Sequence, residues 1–199
     1  MIAALVPAAG LSLRMGQPKL LLTIGGVPLI ARVVAALKAG GADLVVVVVP
    51  AAEVPGAERV AREAEKAGAS LVVPPAPTAD MRASVELGLE RLEQGPAPES
   101  LLLAPGDSPG ITDELVGRVI ACAREYLHSV VVPVCAGRRG HPVLLPWPLT
   151  SAIRSLPPGS GINALLSEPG TRVVELEVVE PATADDLDTP EDYQRWLRC

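Results

Sequence analysis

Five short runs with no polar residue limit most tightly what this chain can fold into. Ile2–Val6, Leu44–Val49, Leu71–Val73, Leu101–Ala104 and Val130–Val134 are apolar at every position. A strand with one wet face alternates apolar and polar residues. A strand apolar throughout needs cover on both faces, as in a parallel sheet flanked by helices. The segments between the runs carry helical spacing. Leu29, Ile30, Val33, Val34 and Leu37 fall on one face, with Pro28 in the first turn and Gly40-Gly41 as the stop. Val60 and Ala64 belong to a charged helix ended by Gly68. Met81, Val85, Gly88, Leu89 and Leu92 form a third stripe. Leu115, Val116, Val119 and Ile120 form a fourth, with Thr112 as N-cap and Asp113 and Glu114 in the first turn. This alternation predicts an α/β fold of three layers, Rossmann-like, with a mostly parallel sheet.

The rhythm changes after residue 135. Gly137-Arg138-Arg139-Gly140 reads as a turn, and His141–Leu145 as a strand leaving the parallel order, an antiparallel excursion in the C-terminal third. Pro146, Pro148, Pro157 and Pro158 interrupt the next stretch of chain. Val173–Val179 reads as a late strand and Pro190–Leu197 as a last helix. No linker or repeat divides residues 1–199, so one domain is expected. There is no Phe, with two Trp and two Tyr, so the core must be aliphatic. Net charge is −6, which argues against nucleic acid or an anionic membrane as partner. No apolar run approaches the ~18 residues of a membrane span. The N-terminus lacks a basic leader, and the three cysteines are scattered. The expected compartment is the cytoplasm.

The chemistry-bearing residues cluster where the apolar runs end. The first run leads into Ala8-Ala9-Gly10, with Arg14 four residues on and Lys19 five further. Ligands of a doubly wound sheet bind beyond the carboxyl ends of its strands. Small residues there let backbone N–H groups approach phosphates; Arg14 adds a fork of donors and Lys19 a point charge. Neither GxGxxG nor GxxxxGK[ST] is present, which counts against an NAD(P) oxidoreductase and a P-loop. Asp107 follows the Leu101–Ala104 run, so its carboxylate is placed to hold a hard cation over a polyphosphate. Gly-Asp-Ser-Pro is equally a turn. Asp188 precedes Thr189-Pro190-Glu191-Asp192, whose cap chemistry accounts for its own four residues but not for Asp188. Asp186 is its near competitor. Ser84 lies one turn into a helix, where the local alternative is a bond to the i−4 carbonyl.

These segments together resemble one family. Ala8-Ala9-Gly10-Leu11-Ser12-Leu13-Arg14-Met15-Gly16 with Lys19 is similar to the signature of the MobA-like NTP transferases. These include the nucleotidyltransferases that build molybdenum-cofactor dinucleotides, and the molybdopterin cytidylyltransferases match most closely. Met81 to Leu89 resembles that family's Gly-Met-x-x-Ser segment, with Asp80 in place of the glycine. Leu102 to Pro109 resembles its strand ending in Asp-x-Pro, Gly137 to Val143 its Gly-x-x-Gly-His-Pro block, and Asp186 to Tyr193 its Asp-Ile-Asp-Thr-Pro-Glu-Asp segment.

The resemblance implies a fold of the nucleotide-diphospho-sugar transferase type, with a nucleotide half over about 1–110 and an acceptor half over about 111–199. It implies transfer of a nucleoside monophosphate from a nucleoside triphosphate to a phosphorylated acceptor such as molybdopterin, releasing pyrophosphate. Arg14, Lys19 and Asp107 would be catalytic. Ala8, Ala9, Gly10, Arg14, Lys19, Ser84 and Asp107 would bind nucleotide. Asp107 and Asp188 would hold Mg²⁺, with Mn²⁺ as the alternative, and Gly140 and His141 would meet the acceptor. A molybdoenzyme is implied as a transient partner. Ala8-Ala9-Gly10 matches the cytidylyl members, and a methyl at Ala9 favours a pyrimidine by only about 1–3 kcal/mol. GTP, a sugar- or alcohol-phosphate acceptor, and a non-catalytic cofactor carrier stay open as alternatives.

Overall fold

A computed structural model describes residues 1–10, 18–157, 159–179, 187 and 189–198. Its elements are β1 (Ile2–Pro7), β2 (Thr23–Ile24), β3 (Val27–Pro28), α1 (Leu29–Ala39), β4 (Leu44–Val48), α2 (Ala57–Lys66), β5 (Ser70–Val72), α3 (Met81–Glu93), β6 (Ser100–Leu103), α4 (Asp113–Glu125), β7 (Val130–Cys135), β8 (Arg138–Arg139), β9 (Val143–Pro146), β10 (Val173–Glu177) and α5 (Pro190–Trp196). Short 3₁₀ segments occupy Lys19–Leu21, Trp147–Ser155 and Ile162–Ser167.

The main sheet runs β10-β7-β9-β6-β1-β4-β5, with β8 paired to β7. Strands β6, β1, β4 and β5 are mutually parallel, as are β7 and β10. Strand β9 lies antiparallel between β6 and β7. The architecture is therefore three-layered and mostly parallel. The chain moves outward from β1 to β4 and β5, then returns across β1 to begin β6. That reversal makes the carboxyl edge between β1 and β6 the switch point of the sheet, where crevices open.

Residue parity divides the core. Ala4, Val6, Val45, Val47 and Leu102 face α1, α2 and α4. Ala3, Leu5, Val46, Val48, Leu101 and Leu103 face α3 and the Trp147–Ser155 segment. Each Val or Leu fully buried in this way contributes roughly 1.5–3 kcal/mol. The apolar runs are thus strands covered twice, as their composition requires.

Local details refine the sequence expectations. Thr112 caps α4 through a bond from Leu115 N–H at 3.2 Å. Thr189 and Asp192 form a reciprocal capping box on α5. Pro28 is the N-cap of α1 rather than a residue of its first turn. Met81 does not join the α3 stripe: it is the first residue of the helix and is 51% exposed. The turn expected at 137–140 falls two residues earlier, at 135–138. Ala136 and Gly137 both have positive φ, which frees Arg138–Arg139 to pair as β8. The late strand stops at Glu177 rather than Val179.

Gly40-Gly41 does more than end α1. Gly41, at φ +114, takes the left-handed conformation that stops the helix. Gly40 is where α1 meets α4: a Cβ there would run into Val116 Cβ and stand 2.7 Å from the Asp113 carbonyl oxygen. A backbone oxygen in a packed crossing cannot move aside cheaply. Gly40→Ala is therefore expected to lose about 1–3 kcal/mol of stability by overpacking. Urea unfolding at unchanged m-value measures it.

Candidate active site at the switch point

The loops after β1 and β6 meet at the carboxyl edge. Ala8 N–H still bonds to Val48 O at 2.9 Å, and Ala104 N–H to Leu5 O at 3.1 Å, so both loops leave the sheet under backbone control. A side chain on Gly106 would stand 3.3 Å from Ala8 Cβ, Ile30 Cδ1 and Leu20 Cδ2. Glycine at this position lets the two loops touch. Lys19 is carried by the 3₁₀ turn Lys19–Leu21, anchored by buried Leu20. Its Nζ forms an ion pair with Asp107 Oδ2. Both side chains are mostly buried, so water screens the pair less than one on the open surface. The cation from one loop and the carboxylate from the other are thus brought together, though 88 positions separate them in sequence.

The C-terminal segment returns to the same place. Leu187 is fully buried, and its N–H donates to Asp107 O at 3.0 Å. Tyr193 of α5 donates its hydroxyl to Thr23 O at 2.8 Å, tying the last helix to the β2–β3 hairpin. Sequence reasoning had no signal for this anchor beyond the apolar residue of Asp186-Leu187-Asp188. Arg14, Asp186 and Asp188 lie outside the described residues.

The antiparallel strand has a positional consequence. Val143 pairs with Leu103, so the residues leading into β9 lie beyond the carboxyl end of β6, the edge that carries Asp107. Gly140 and His141 are those residues, and Gly140 N–H is held by Pro133 O at 2.8 Å. A parallel strand in this slot would have put its lead-in at the opposite edge. Arg139 is paired with Glu175 of β10.

The nucleotide-side candidates are less open than their sequence positions suggest. Ala8 and Ala9 are each 4% exposed, with their methyl groups in the cores on opposite faces of the sheet. Gly10 is exposed, with open space where a Cβ would project. Ser84 is 2% exposed, and its Oγ is engaged by Thr78 Oγ1 at 2.9 Å and Asp80 O at 3.3 Å. The hydroxyl ties the loop after β5 to α3, a role for Thr78 that its sequence position did not reveal. Asp80, which replaces the family glycine, caps α3 by accepting from Ala83 N–H at 2.8 Å.

Among the described residues, no group of three or more His, Cys, Asp or Glu side chains could hold a metal. Asp107 offers one hard oxygen donor beside a cation, beyond the carboxyl end of β6. That suits Mg²⁺ or Mn²⁺, which binds through one or two carboxylates plus substrate phosphates rather than in a protein cage. Cys122 and Cys135 carry no disulfide, and burial followed by the nearby Glu125 charge pushes the Cys122 thiol up. No helix among the described residues is long and apolar enough to cross a membrane.

The cap at α3 generates a stability test. Asp80→Ala is expected to cost about 1 kcal/mol, while Asp80→Asn, which keeps the acceptor oxygen, should lose only a fraction of that. Thermal unfolding of the two variants side by side distinguishes a cap from a residue with no local role.

Comparison with known proteins places this geometry in a family. A 2-C-methyl-D-erythritol 4-phosphate cytidylyltransferase of Geobacter metallireducens is 36% identical over 131 residues, which cover 62% of this chain and 55% of that protein. A molybdenum cofactor guanylyltransferase of Mesorhizobium japonicum is 29% identical over 124 residues, covering 58% of this chain and 59% of its own. The chain therefore matches somewhat more than half the length of these curated relatives. The solved structure of Rv0371C from Mycobacterium tuberculosis, in complex with manganese, superposes with a TM-score of 0.78 at 24% identity, covering 99% of this chain and 98% of that one. The sequence pattern of the MobA-like NTP transferase domain matches residues 4–173, and the chain belongs to that family.

Proposed function

We propose that this chain is a nucleotidyltransferase that joins a nucleoside monophosphate from a nucleoside triphosphate to a phosphorylated acceptor and releases pyrophosphate. The observation that carries the reading is the Lys19–Asp107 pair, a cation and a carboxylate joined at the switch point of a doubly wound sheet. Family membership supports it.

In the reaction, an oxygen of the acceptor phosphate bonds to the α-phosphorus of the triphosphate. The bond to the bridging oxygen of the β-phosphate breaks, and its electrons leave on pyrophosphate. A phosphate nucleophile is already ionised, so no general base is needed. The difficulty is bringing two anions together, which positioning and positive charge overcome. Lys19, with Arg14, would neutralise the β- and γ-phosphates. Asp107 and Asp188 would hold the divalent metal; Leu187, bonded through its N–H to Asp107 O, is the chain neighbour of Asp188. When bound there, the metal would supply positive charge to offset that of the phosphates. Gly140 and His141, at the same edge, would meet the acceptor. The residues before about 110 form the nucleotide half and those after it the acceptor half.

CTP is the proposed nucleotide. With its methyl buried, Ala9 has little surface to touch a base, so support for CTP comes from the resemblance of Ala8-Ala9-Gly10 to cytidylyl members and from the cytidylyltransferase relative. Molybdopterin is the proposed acceptor, with a molybdoenzyme as recipient of the product in the cytoplasm. A second reading, a polyol phosphate as acceptor, is favoured by the name of that same relative.

Calorimetry with CTP, GTP, UTP and ATP, with and without Mg²⁺, followed by pyrophosphate release with each acceptor class, tests the proposal. CTP with Mg²⁺ should bind most tightly, and Lys19→Ala should lower kcat/KM by about 10²–10³-fold. Asp107→Asn should abolish the gain from Mg²⁺. It should also bind metal-free CTP more tightly than the parent by up to about tenfold, because Lys19 is released and a carboxylate no longer faces the triphosphate. A folded sample that releases no pyrophosphate with any nucleotide and acceptor sinks the reading.

A further inference from the structure

Arg82 is a side chain the proposed reaction does not use, yet it makes four hydrogen bonds, three of them across the molecule. It lies in the first turn of α3, and only 18% of its side chain is exposed. Its Nε donates to Glu86 Oε1 at 2.9 Å, one turn along the same helix. Its Nη1 donates to Leu156 O at 2.8 Å and Pro157 O at 3.1 Å, and its Nη2 to Arg154 O at 3.0 Å. The three carbonyls come from the end of the 3₁₀ segment Trp147–Ser155 and the residues just past it, where carbonyls lack partners within the helix. The planar guanidinium matches that fan of acceptors; a lysine would offer a single point of attachment.

The location gives the contact meaning. Strand β5 is parallel to β1 and β6, so the loop after it and the start of α3 lie at the same carboxyl edge as Asp107. Pro157 O is also the acceptor for Ser160 N–H at 3.1 Å, and Gly161 O for Ala164 N–H at 3.0 Å. Arg82 therefore holds the very carbonyl on which the turn into Gly159-Ser160-Gly161 is built. A second tie, the solvent-exposed two-bond pair of Arg154 with Glu93, joins the same 3₁₀ segment to the far end of α3.

We propose that Arg82 is a positioning residue: it pins Leu156 and Pro157, on the acceptor half, against the start of α3, on the nucleotide half, and so fixes the spacing of the two lips of the crevice. This rests on the nucleotidyltransferase reading for its functional consequence, not for the contact itself. Misplacing a substrate-side segment by about 1 Å can cost a large factor in turnover without touching the chemistry.

Two variants test it, Arg82→Gln and Arg82→Lys. Hydrogen exchange of the segment covering residues 157–164 should quicken about tenfold in Arg82→Gln and be partly restored in Arg82→Lys, with β1 and α1 unchanged. Nucleotide affinity by calorimetry should stay within about threefold of the parent, while KM for the phosphorylated acceptor rises about tenfold and kcat falls less. Unchanged exchange over 157–164 overturns the proposal, whether or not the chain transfers nucleotide. Faster exchange with an unmoved acceptor KM, or with an equal loss of nucleotide affinity, overturns it too, by reducing Arg82 to a general stabiliser. A parent chain that turns over no acceptor counts against the nucleotidyltransferase reading alone, because the exchange arm still decides whether the pin exists.

Discussion

Strand β1 is hydrogen-bonded on both edges, to β4 and β6, and packed on both faces, against α1 on one side and α3 on the other. It has no solvent side, so every residue from Ile2 to Val6 must be apolar. A strand so enclosed can present chemistry only where it ends. The chain also returns across β1 to reach β6, which makes the carboxyl edge between them the switch point of the sheet. The candidate site is therefore a by-product of covering one strand completely.

The polar groups at the carboxyl edge are gathered by topology rather than by composition. Lys19 comes from the loop after β1, Asp107 from the loop after β6, and the Leu187 N–H from the far end of the chain. Gly106 permits the close contact of the first two loops. The reversed strand β9 adds Gly140 and His141 at the same edge. Each contribution is small, and they act together because the sheet sets their common height.

Helix α3 shows how far one-dimensional reading reaches. Its apolar stripe from Val85 to Leu92 was legible from spacing, because only residues at i, i+4 and i+7 can reach the sheet. Asp80 as its cap was also legible, since short acceptors favour that position. Ser84 was ambiguous: a hydroxyl on a helix can face a ligand or bond inward, and the loop that supplies Thr78 decides between them. Three of the four bonds of Arg82 were invisible, because their acceptors are backbone carbonyls more than 70 residues away and carbonyls leave no trace in a sequence.

What the sequence determined by itself was the set of elements and the places where they stop. Apolar runs, caps and glycines act over a few residues, and the code for them is local. The antiparallel lead-in to β9 was visible as a break in rhythm, though not its slot between β6 and β7. Which loops meet, which carboxylate finds which cation, and where the last helix returns were decided only by the tertiary structure. Those outcomes depend on strand order and on close packing between distant segments, and no short window of residues contains that information.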